Sequence, residues 1–346
     1  MKKYYYVTAN TAKGFLNLLP SNIKRLHRVI GLKHPSQKIK SKILKSLISK
    51  YESTNEVEVL KSPLGDSYLD GVIIRKKGIA FINDCILPDN RNEIIELDLS
   101  PFTQHNPVKN KEQVEKFNHH KEKAYKNLET GLRVHDDLEE IYINEMDFER
   151  ADEITERFIQ ERLQGQLNKN RNALEYHRLF GTTTVDGPVN VIPHITEKLS
   201  RVFYVKGRAG TGKSTFMKKV ASACVEYGYD TEIYHCSFDP NSIDMVLVPD
   251  LQFGVFDSTD PHEFFPTREG EEIIDLYEEA VTPGTDEKYA DEINKVNDHY
   301  KSYMKKGVVE LRKAGEYLEE LEQQYSCTEK EQKEILKFIE HQITVI

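Results

Sequence analysis

The sequence predicts an α/β protein made of two related halves, each with a parallel sheet flanked by helices and a long charged helical extension. Three observations support this: a glycine-rich loop between a strand pattern and a helix pattern, an internal repeat, and two charged helical stretches at corresponding places. With 346 residues, 38% hydrophobic and 30% charged, the chain can fill two modest cores. We expect two domains, residues 1–172 and 173–346.

The most informative motif is an eight-residue segment, here named the glycine loop. It consists of Gly207, Arg208, Ala209, Gly210, Thr211, Gly212, Lys213 and Ser214, and Thr215 follows it. Glycines allow backbone conformations in which successive N–H groups turn inward around phosphates. Lys213 would reach the β- and γ-phosphates, and the Ser214 hydroxyl would coordinate Mg²⁺. The pattern predicts a P-loop NTPase-like domain that binds ATP and Mg²⁺ through residues 207–215.

The segments on either side of the glycine loop have the required patterns. Residues 201–206 are a β-branched and aromatic run, and residues 215–227 place apolar residues at helical spacing before Gly228. A second strand is predicted at 231–236. This β-loop-α-β order implies a parallel sheet. The alternative is a glycine-rich turn that binds no ligand.

An internal repeat relates the two halves of the chain. At an offset of 173, the repeat pairs Gly14 with Gly187, Asn17 with Asn190, Pro20 with Pro193, Arg28 with Arg201 and Lys33 with Lys206. Further on, the offset is 174, which pairs Asp70 with Asp244 and the strand 79–82 with 253–256; near the ends it reaches 180. The repeat covers nearly all of each half and predicts the same fold twice.

The first copy of the glycine loop, residues 34–41, has lost its glycines. It keeps Lys40 and Ser41 at the register of Lys213 and Ser214, but Pro35 has no N–H to donate. We therefore expect the first half to be a degenerate P-loop NTPase-like domain that packs against or regulates the second. Its remaining lysine cluster could attract an anion loosely.

Acidic residues follow the predicted strands of the second half. Asp257 ends the apolar strand 251–257, as expected for a carboxylate that holds Mg²⁺ with Ser214, and the first copy has Asn83 there. Asp239 and Asp244 in the stretch 235–244 are candidates for a base, a water-orienting group or a substrate contact. Together with Lys213, Asp257 and the phosphoryl-charge candidate Arg268, they form the predicted catalytic set. The alternative is that these turn-forming residues only shape loops and caps.

Two long charged stretches, about 111–167 and 287–343, carry apolar residues at intervals of three and four. Examples are Leu132 and Leu138 in the first and Leu311 and Leu318 in the second. They predict helical hairpins laid over the sheets. The alternative is a lid or an arm that binds a protein partner.

Charge and composition narrow the remaining possibilities. The formal net charge of −9 argues against nucleic acid as a partner, and no segment has the apolar length of a membrane span. The start of the chain has no secretion-signal pattern, so we expect a cytoplasmic protein. The four cysteines show no spacing typical of a zinc site or disulfide framework, and we expect free thiols.

Several of these stretches together resemble the tandem P-loop ATPase family of Gram-positive bacteria, sometimes labelled nucleotide kinase. The matching segments are LFG at 179–181, GPV at 187–189, GRAGTGKST at 207–215, YHCSFDPNSIDMV at 234–246, FDSTDPHEFFPTR at 256–268 and DLY at 275–277. The first half resembles the family in its opening NTAKGF at 10–15 and departs from it at the phosphate loop. The resemblance implies ATP binding and names no phosphoryl acceptor.

Three functions are compatible with these residues. The leading hypothesis is a Mg²⁺-dependent NTPase, with ATP favoured over GTP, whose nucleotide cycle switches the two domains. The second is a kinase that passes the γ-phosphoryl group to a nucleotide or small metabolite. The third is a nucleotide-gated scaffold with negligible turnover, in which the degenerate first half docks a protein partner.

Overall fold

The computed structural model describes residues 2–89, 94–103 and 111–345; residues 1 and 346, which the predicted domain ranges include, lie outside the described residues. The first half contains β1 (Lys2–Tyr6), β2 (Thr8–Thr11), β3 (Gly14–Asn17), α1 (Leu19–Asn22), β4 (Arg28–Lys33), α2 (Gln37–Tyr51), β5 (Val57–Lys61), β6 (Leu69–Ile74), β7 (Ile79–Asn83), β8 (Ile94–Asp98), α3 (Lys111–Ile143) and α4 (Phe148–Leu163). The second half contains β9 (Glu175–Arg178), β10 (Gly181–Thr184), β11 (Gly187–Asn190), α5 (Ile192–Thr196), β12 (Arg201–Lys206), α6 (Lys213–Glu226), β13 (Thr231–His235), β14 (Ile243–Val248), β15 (Phe253–Asp257), β16 (Glu271–Asp275), α7 (Leu276–Ala280), α8 (Thr285–Lys288), α9 (Ala290–Glu322) and α10 (Glu329–Val345).

Two six-stranded sheets organise the described part of the chain. The first has the order β1-β5-β6-β7-β4-β8, and the second has the order β9-β13-β14-β15-β12-β16. Each strand of the first sheet therefore has its counterpart at the same place in the second. This agreement is what the sequence repeat predicts.

The sheets are mixed, so the prediction of a parallel sheet is wrong in part. β6 and β14 run antiparallel to both of their neighbours, whereas the remaining pairs are parallel. Short 3-10 turns, Arg75–Lys77 and Pro249–Leu251, follow these two strands and lead directly into β7 and β15. A connection this short joins only antiparallel neighbours, because a parallel pair needs a long crossover.

The two halves meet through equivalent residues. Tyr6 and Leu179 exchange both backbone hydrogen bonds, each 2.9 Å, and they are 173 positions apart, the offset of the repeat. A contact between equivalent residues indicates an approximate twofold axis between the halves. Beside it, the buried Arg178 guanidinium lies 3.1 Å from Glu58 and 2.8 Å from Glu232. The halves are therefore joined by a buried ion network that both supply.

Burial alone would favour a neutral Glu58. The Arg75 and Arg178 guanidinium groups outweigh it and lower the pKa of Glu58 to about 2. The Tyr5 hydroxyl also donates to this carboxylate, at 2.6 Å. Glu58 is therefore ionised at neutral pH, as a buried charge can be only when it is surrounded by donors.

The halves exchange their terminal helices: the last helix of each half packs on the sheet of the other half. α3 and α9, each of 33 residues, pack antiparallel: Gly131 lies against Tyr303, and Gly307 lies against Leu128. Beyond them, α4 joins the core of the second half through Ile154 and Phe158, while α10 joins that of the first half. The predicted helical stretches are thus confirmed, but each terminal helix covers the sheet of the other half.

We expect Phe158→Ala on α4 to destabilise the second half, although the residue belongs to the first. The Phe158 ring centroid lies 4.9 Å from that of Phe203 and 5.2 Å from that of Phe216. Emptying this site costs roughly 3–5 kcal/mol in the free energy of unfolding. Denaturant unfolding measures it, with Phe148→Ala as the control, because Phe148 on the same helix is 57% exposed. Equal stability of the two variants would contradict the exchange.

Candidate functional site

The glycine loop connects β12 to α6, as its flanking patterns predict. Gly210 and Gly212 have φ angles of +76° and +77°, which favour glycine. A Cβ on Gly207 would lie 2.4 Å from Thr211 Oγ1. That hydroxyl donates to the Arg208 carbonyl and accepts from the Arg208 N–H, at 2.9 and 3.1 Å. Each glycine therefore has a steric reason in this structure.

The amino terminus of α6 has no side-chain cap. Its N-cap residue is Gly212, which has no side chain, and the described residues include no side-chain cap of its first turn. First-turn N–H groups have no acceptor within a helix, and the helix dipole makes this end positive. The Lys213 ammonium adds a charge to the same place; it donates to the Arg208 carbonyl at 2.5 Å. The site therefore combines open backbone donors with a cation, as anion binding requires.

Two of the predicted carboxylates face this cation. Asp244 and Asp257 lie on the antiparallel strands β14 and β15, one position beyond the Met245–Phe256 pair. Asp257 Oδ2 is 3.7 Å from Lys213 Nζ, and Asp257 Oδ1 accepts from Thr259 Oγ1 at 2.6 Å. The structure thus brings Lys213, Asp244 and Asp257 together at one edge of the second sheet.

Asp244 is buried and resists ionisation. Burial, with the nearby charge of Asp257 in second place, raises the pKa of Asp244 to about 7. The charge of Lys213 and the contact with Cys236 act in the opposite direction without cancelling the shift. When one of two neighbouring carboxyl groups stays protonated near neutral pH, a cation bound between them would favour the ionised form of both.

The donor set of this edge fits Mg²⁺. Mg²⁺ is usually held by one or two carboxylates, with phosphate and water oxygens completing its octahedron. Ser214 Oγ, which accepts from the Ile243 N–H at 2.9 Å, lies where α6 meets β14, the strand of Asp244. Within the described residues, no three His, Cys, Asp or Glu side chains are grouped to hold a metal by themselves. Ser214, Asp244 and Asp257 would supply part of the coordination of a bound Mg²⁺, and phosphate and water oxygens would supply the rest.

Two further predicted residues have different outcomes. Asp239 lies in the loop after β13, near enough that its charge raises the pKa of Asp244. Arg268 is not brought to the site. Its guanidinium donates to the carbonyls of Thr196 and Glu197, both at 2.6 Å, and to Glu271 at 2.8 Å. It lies at the opposite edge of the sheet, where β12 begins, so the role predicted for it is not supported.

The first half covers the glycine loop through α3. A Cβ on Gly210 would lie 2.5 Å from the Glu139 carbonyl oxygen. A cavity of about 280 Å³ opens beside the loop, and its lining includes His135 and Tyr142 of α3 together with Arg208 of the loop. Arg208 is held by Asp286 at 2.8 Å. Sequence reasoning missed His135, because a histidine on a charged helix carries no local signal for a site.

His262 is a second residue that sequence reasoning did not assign. It lies five positions after Asp257, in the stretch 256–268 that carries part of the family resemblance. Its Nε2 atom is buried without a hydrogen-bond partner among the described residues. Burial lowers the pKa of His262, while the charge of Asp257 opposes the shift. A neutral imidazole with a free ring nitrogen can accept or donate a proton.

The equivalent position in the first half is filled by the protein itself. The Glu322 carboxylate, from the end of α9, accepts from the Gln37 N–H at 2.7 Å and the Lys38 N–H at 3.3 Å, and the Ser36 hydroxyl also bonds to it. These are the first-turn donors of α2, the counterpart of α6. Glu322 therefore lies where an anion would bind.

Two other residues at the register of the glycine-loop site also have partners within the protein. Lys40, at the register of Lys213, is fully buried and lies 2.5 Å from Asp84 Oδ1. Asn83, at the register of Asp257, donates to the Gln37 side chain at 2.6 Å. At the register of the glycine loop, the first half thus has an internal carboxylate and an ion pair whose lysine is fully buried.

Comparison of the chain with protein-family models, with curated proteins and with solved structures gives no match. The resemblance to tandem P-loop ATPases stays a prediction. The four cysteines, which the sequence predicts to be free thiols, are all free in the structure. None of the described helices combines the length and apolar character that a membrane crossing needs.

The raised pKa of Asp244 predicts how stability depends on pH. Between pH ~4 and ~7, the folded protein holds a proton on Asp244 that the unfolded chain has released, so this residue makes stability fall as pH rises through the window. Asp244→Asn lacks this effect. We expect the stability difference between the variant and the wild type to change by roughly 2–4 kcal/mol across the window. Urea unfolding at stepped pH, with chelator and without nucleotide, measures it; parallel curves would contradict the assignment.

Proposed function

We propose that the second half is a Mg²⁺-dependent P-loop NTPase domain that binds ATP, and that the first half is its degenerate copy. The observation that carries the proposal is the uncapped amino terminus of α6 beside Lys213 and the Asp244–Asp257 pair. Open backbone donors, a cation and two carboxylates on neighbouring strands are the parts that a nucleotide phosphate tail and its metal require.

The residues act by position and charge. The backbone of residues 207–215 holds the phosphate oxygens, and Lys213 neutralises charge at the terminal phosphates. Ser214 and Asp257 would hold Mg²⁺, with Asp244 beside them; the metal would supply charge compensation between the phosphates. Asp239, Asp244 and His262 are the candidates for orienting or deprotonating the attacking group.

Hydrolysis coupled to domain switching is the function we favour. The glycine loop contacts α3, which packs along α9 and leads into the exchanged helix α4. A nucleotide-dependent shift of the glycine loop would therefore act directly on an element of the first half. In many nucleotide-binding proteins, a segment becomes ordered or disordered when the bound nucleotide changes.

A nucleotide or small-metabolite kinase is the second candidate. The cavity of about 280 Å³ beside the glycine loop favours it, because a phosphoryl acceptor needs space next to the terminal phosphate. Its lining includes Lys206, Asn297 and Lys301, which offer polar contacts to an acceptor.

The test is release of ADP and phosphate from Mg-ATP by the purified chain, with and without a pool of nucleotides and small metabolites. Phosphate release without the pool supports the NTPase, and ADP formed only with the pool supports the kinase. Bound ATP with no product supports a nucleotide-gated scaffold. Absence of Mg-ATP binding would contradict all three.

A further inference from the structure

A β-hairpin of the first half reaches the site of the second half. It consists of β2 and β3, paired from Thr8–Asn17 to Thr11–Gly14. At its tip, the Ala12 N–H donates to the Phe238 carbonyl at 3.1 Å, in the loop after β13. The hairpin is held in this position by Asn10, whose amide donates to the Thr183 carbonyl at 2.9 Å. The tip is therefore a fixed part of the wall around this loop.

Lys13, next to Ala12 at the tip, forms an ion pair with a residue of the second half. Its Nζ lies 3.1 Å from Asp239 Oδ1, and the two side chains are 45% and 30% exposed. An ion pair this exposed contributes little to stability. The charge of Asp239 also acts on Asp244 and on His135, so this pair belongs to the electrostatic environment of the glycine loop.

The charge balance of the site gives Lys13 a role. Asp239, Asp244 and Asp257 place up to three negative charges beside the position where the proposed nucleotide adds more. Among the described residues, Lys13 and Lys213 are the two cations that form ion pairs with these carboxylates. The other nearby cations have partners elsewhere: Arg208 pairs with Asp286, Lys206 with Glu263 and Lys301 with Asp260.

The second hairpin provides an internal comparison. β10 and β11 form the equivalent hairpin, and Asp186 stands there at the register of Lys13, 173 positions on. A Cβ on Gly65, in the loop after β5, would lie 3.5 Å from Asp186 Oδ2. Each hairpin thus reaches the strand-end loop of the opposite half. Lys13, a cation, reaches the half in which the amino terminus of α6 is open. Asp186, an acid, reaches the half in which Glu322 fills the amino terminus of α2.

We propose that Lys13 is a catalytic residue that the first half contributes to the nucleotide site, where its ammonium leaves Asp239 and contacts the terminal phosphate of bound Mg-ATP. This inference rests on the proposed function. No bond is made or broken by Lys13; it neutralises charge that develops on the terminal phosphoryl group as the bond to ADP breaks. The Lys13 side chain is long and 45% exposed, so it can change rotamer while the backbone of the hairpin stays in place.

The test compares Lys13→Ala, Lys13→Arg and Asp186→Ala with the wild type. Mg-ATP affinity is measured by calorimetry, and turnover is measured as single-turnover ADP formation. We expect Lys13→Ala to slow turnover about a hundredfold while affinity changes less than about threefold. Lys13→Arg should recover much of the rate, since it keeps the charge. Asp186→Ala should behave as the wild type.

Wild-type turnover in Lys13→Ala would overturn the inference and leave the proposed function standing. So would equal slowing in Lys13→Ala and Asp186→Ala, because that would indicate a structural effect of either hairpin. A wild-type chain that binds no Mg-ATP would instead overturn the proposed function, and the role of Lys13 with it. Thermal unfolding of each variant shows whether any loss comes from misfolding.

Discussion

Lys213→Ala is expected to weaken Mg-ATP binding by at least about a hundredfold, or roughly 3 kcal/mol, without unfolding the chain. The ammonium lies at the open end of α6, where it donates to the Arg208 carbonyl and stands 3.7 Å from Asp257. These ligand-free contacts are replaceable by water, whereas a charge-assisted bond to phosphate is not. Calorimetric titration with Mg-ATP measures the loss, and circular dichroism reports on the fold.

Lys40→Ala is the matched control, because Lys40 stands at the same register in the first half. Lys40 is fully buried against Asp84, so its removal leaves a carboxylate without its partner. We expect a stability loss of about 3 kcal/mol and unchanged Mg-ATP affinity. Lys213→Ala should therefore reduce Mg-ATP affinity, whereas Lys40→Ala should reduce stability. Equal losses of affinity in both variants would contradict the assignment of a degenerate first site.

Asp257→Asn is expected to weaken Mg²⁺ binding at the proposed nucleotide site. Asp257 faces Asp244 across β14 and β15, and both lie at the same sheet edge as Ser214. An amide keeps the shape of the side chain but loses the charge that attracts a divalent cation. We expect the Mg²⁺ concentration needed for half-maximal ATP binding to rise at least about tenfold, roughly 1.4 kcal/mol, in a titration with a fluorescent ATP analogue.

Asp70→Asn is the control for this change, since Asp70 is the buried counterpart of Asp244 in the first half. Burial raises its pKa to about 6, and it bonds to the Thr8 hydroxyl. No open helix terminus faces it, because Glu322 occupies the donors of α2. Its replacement should leave the Mg²⁺ titration unchanged. An unchanged titration in Asp257→Asn as well would remove Asp257 from the metal site.

The twofold arrangement connects the two sites physically. α3 covers the glycine loop near Glu139, and the end of α9 places Glu322 in the degenerate site. These helices pack along each other, and each leads into a helix that covers the opposite sheet. A change at the glycine loop therefore has a direct route to the first half, through which that half could serve the proposed nucleotide site.

Local patterns predicted the elements around the site well. The strand at 201–206, the helix after the glycine loop and the strand ending in Asp257 were all readable, since periodicity and glycine chemistry act over a few residues. The repeat predicted two sheets of one design. The antiparallel direction of β14 was missed, because a short turn decides it and apolar runs look alike in either direction.

Long-range placement could not be read from the chain. The apolar stripe of α4 does not say which sheet it covers, and Phe158 would suit either core. Glu322 lies 285 positions after Gln37, so no local signal connects them. Arg268 is predicted to act on phosphoryl charge, yet the carbonyls of Thr196 and Glu197 hold it at the opposite edge of the sheet. Lys13 reaches Asp239 only because the halves pack about a twofold axis.

The number of Mg-ATP molecules bound per chain tests the central claim most directly. Equilibrium titration of the wild type, Lys213→Ala and Lys40→Ala should give one site, no detectable site and one site, respectively. This result follows if the uncapped terminus of α6 is the nucleotide site and Glu322 fills its counterpart. Two sites in the wild type, or one site that persists in Lys213→Ala, would contradict the account.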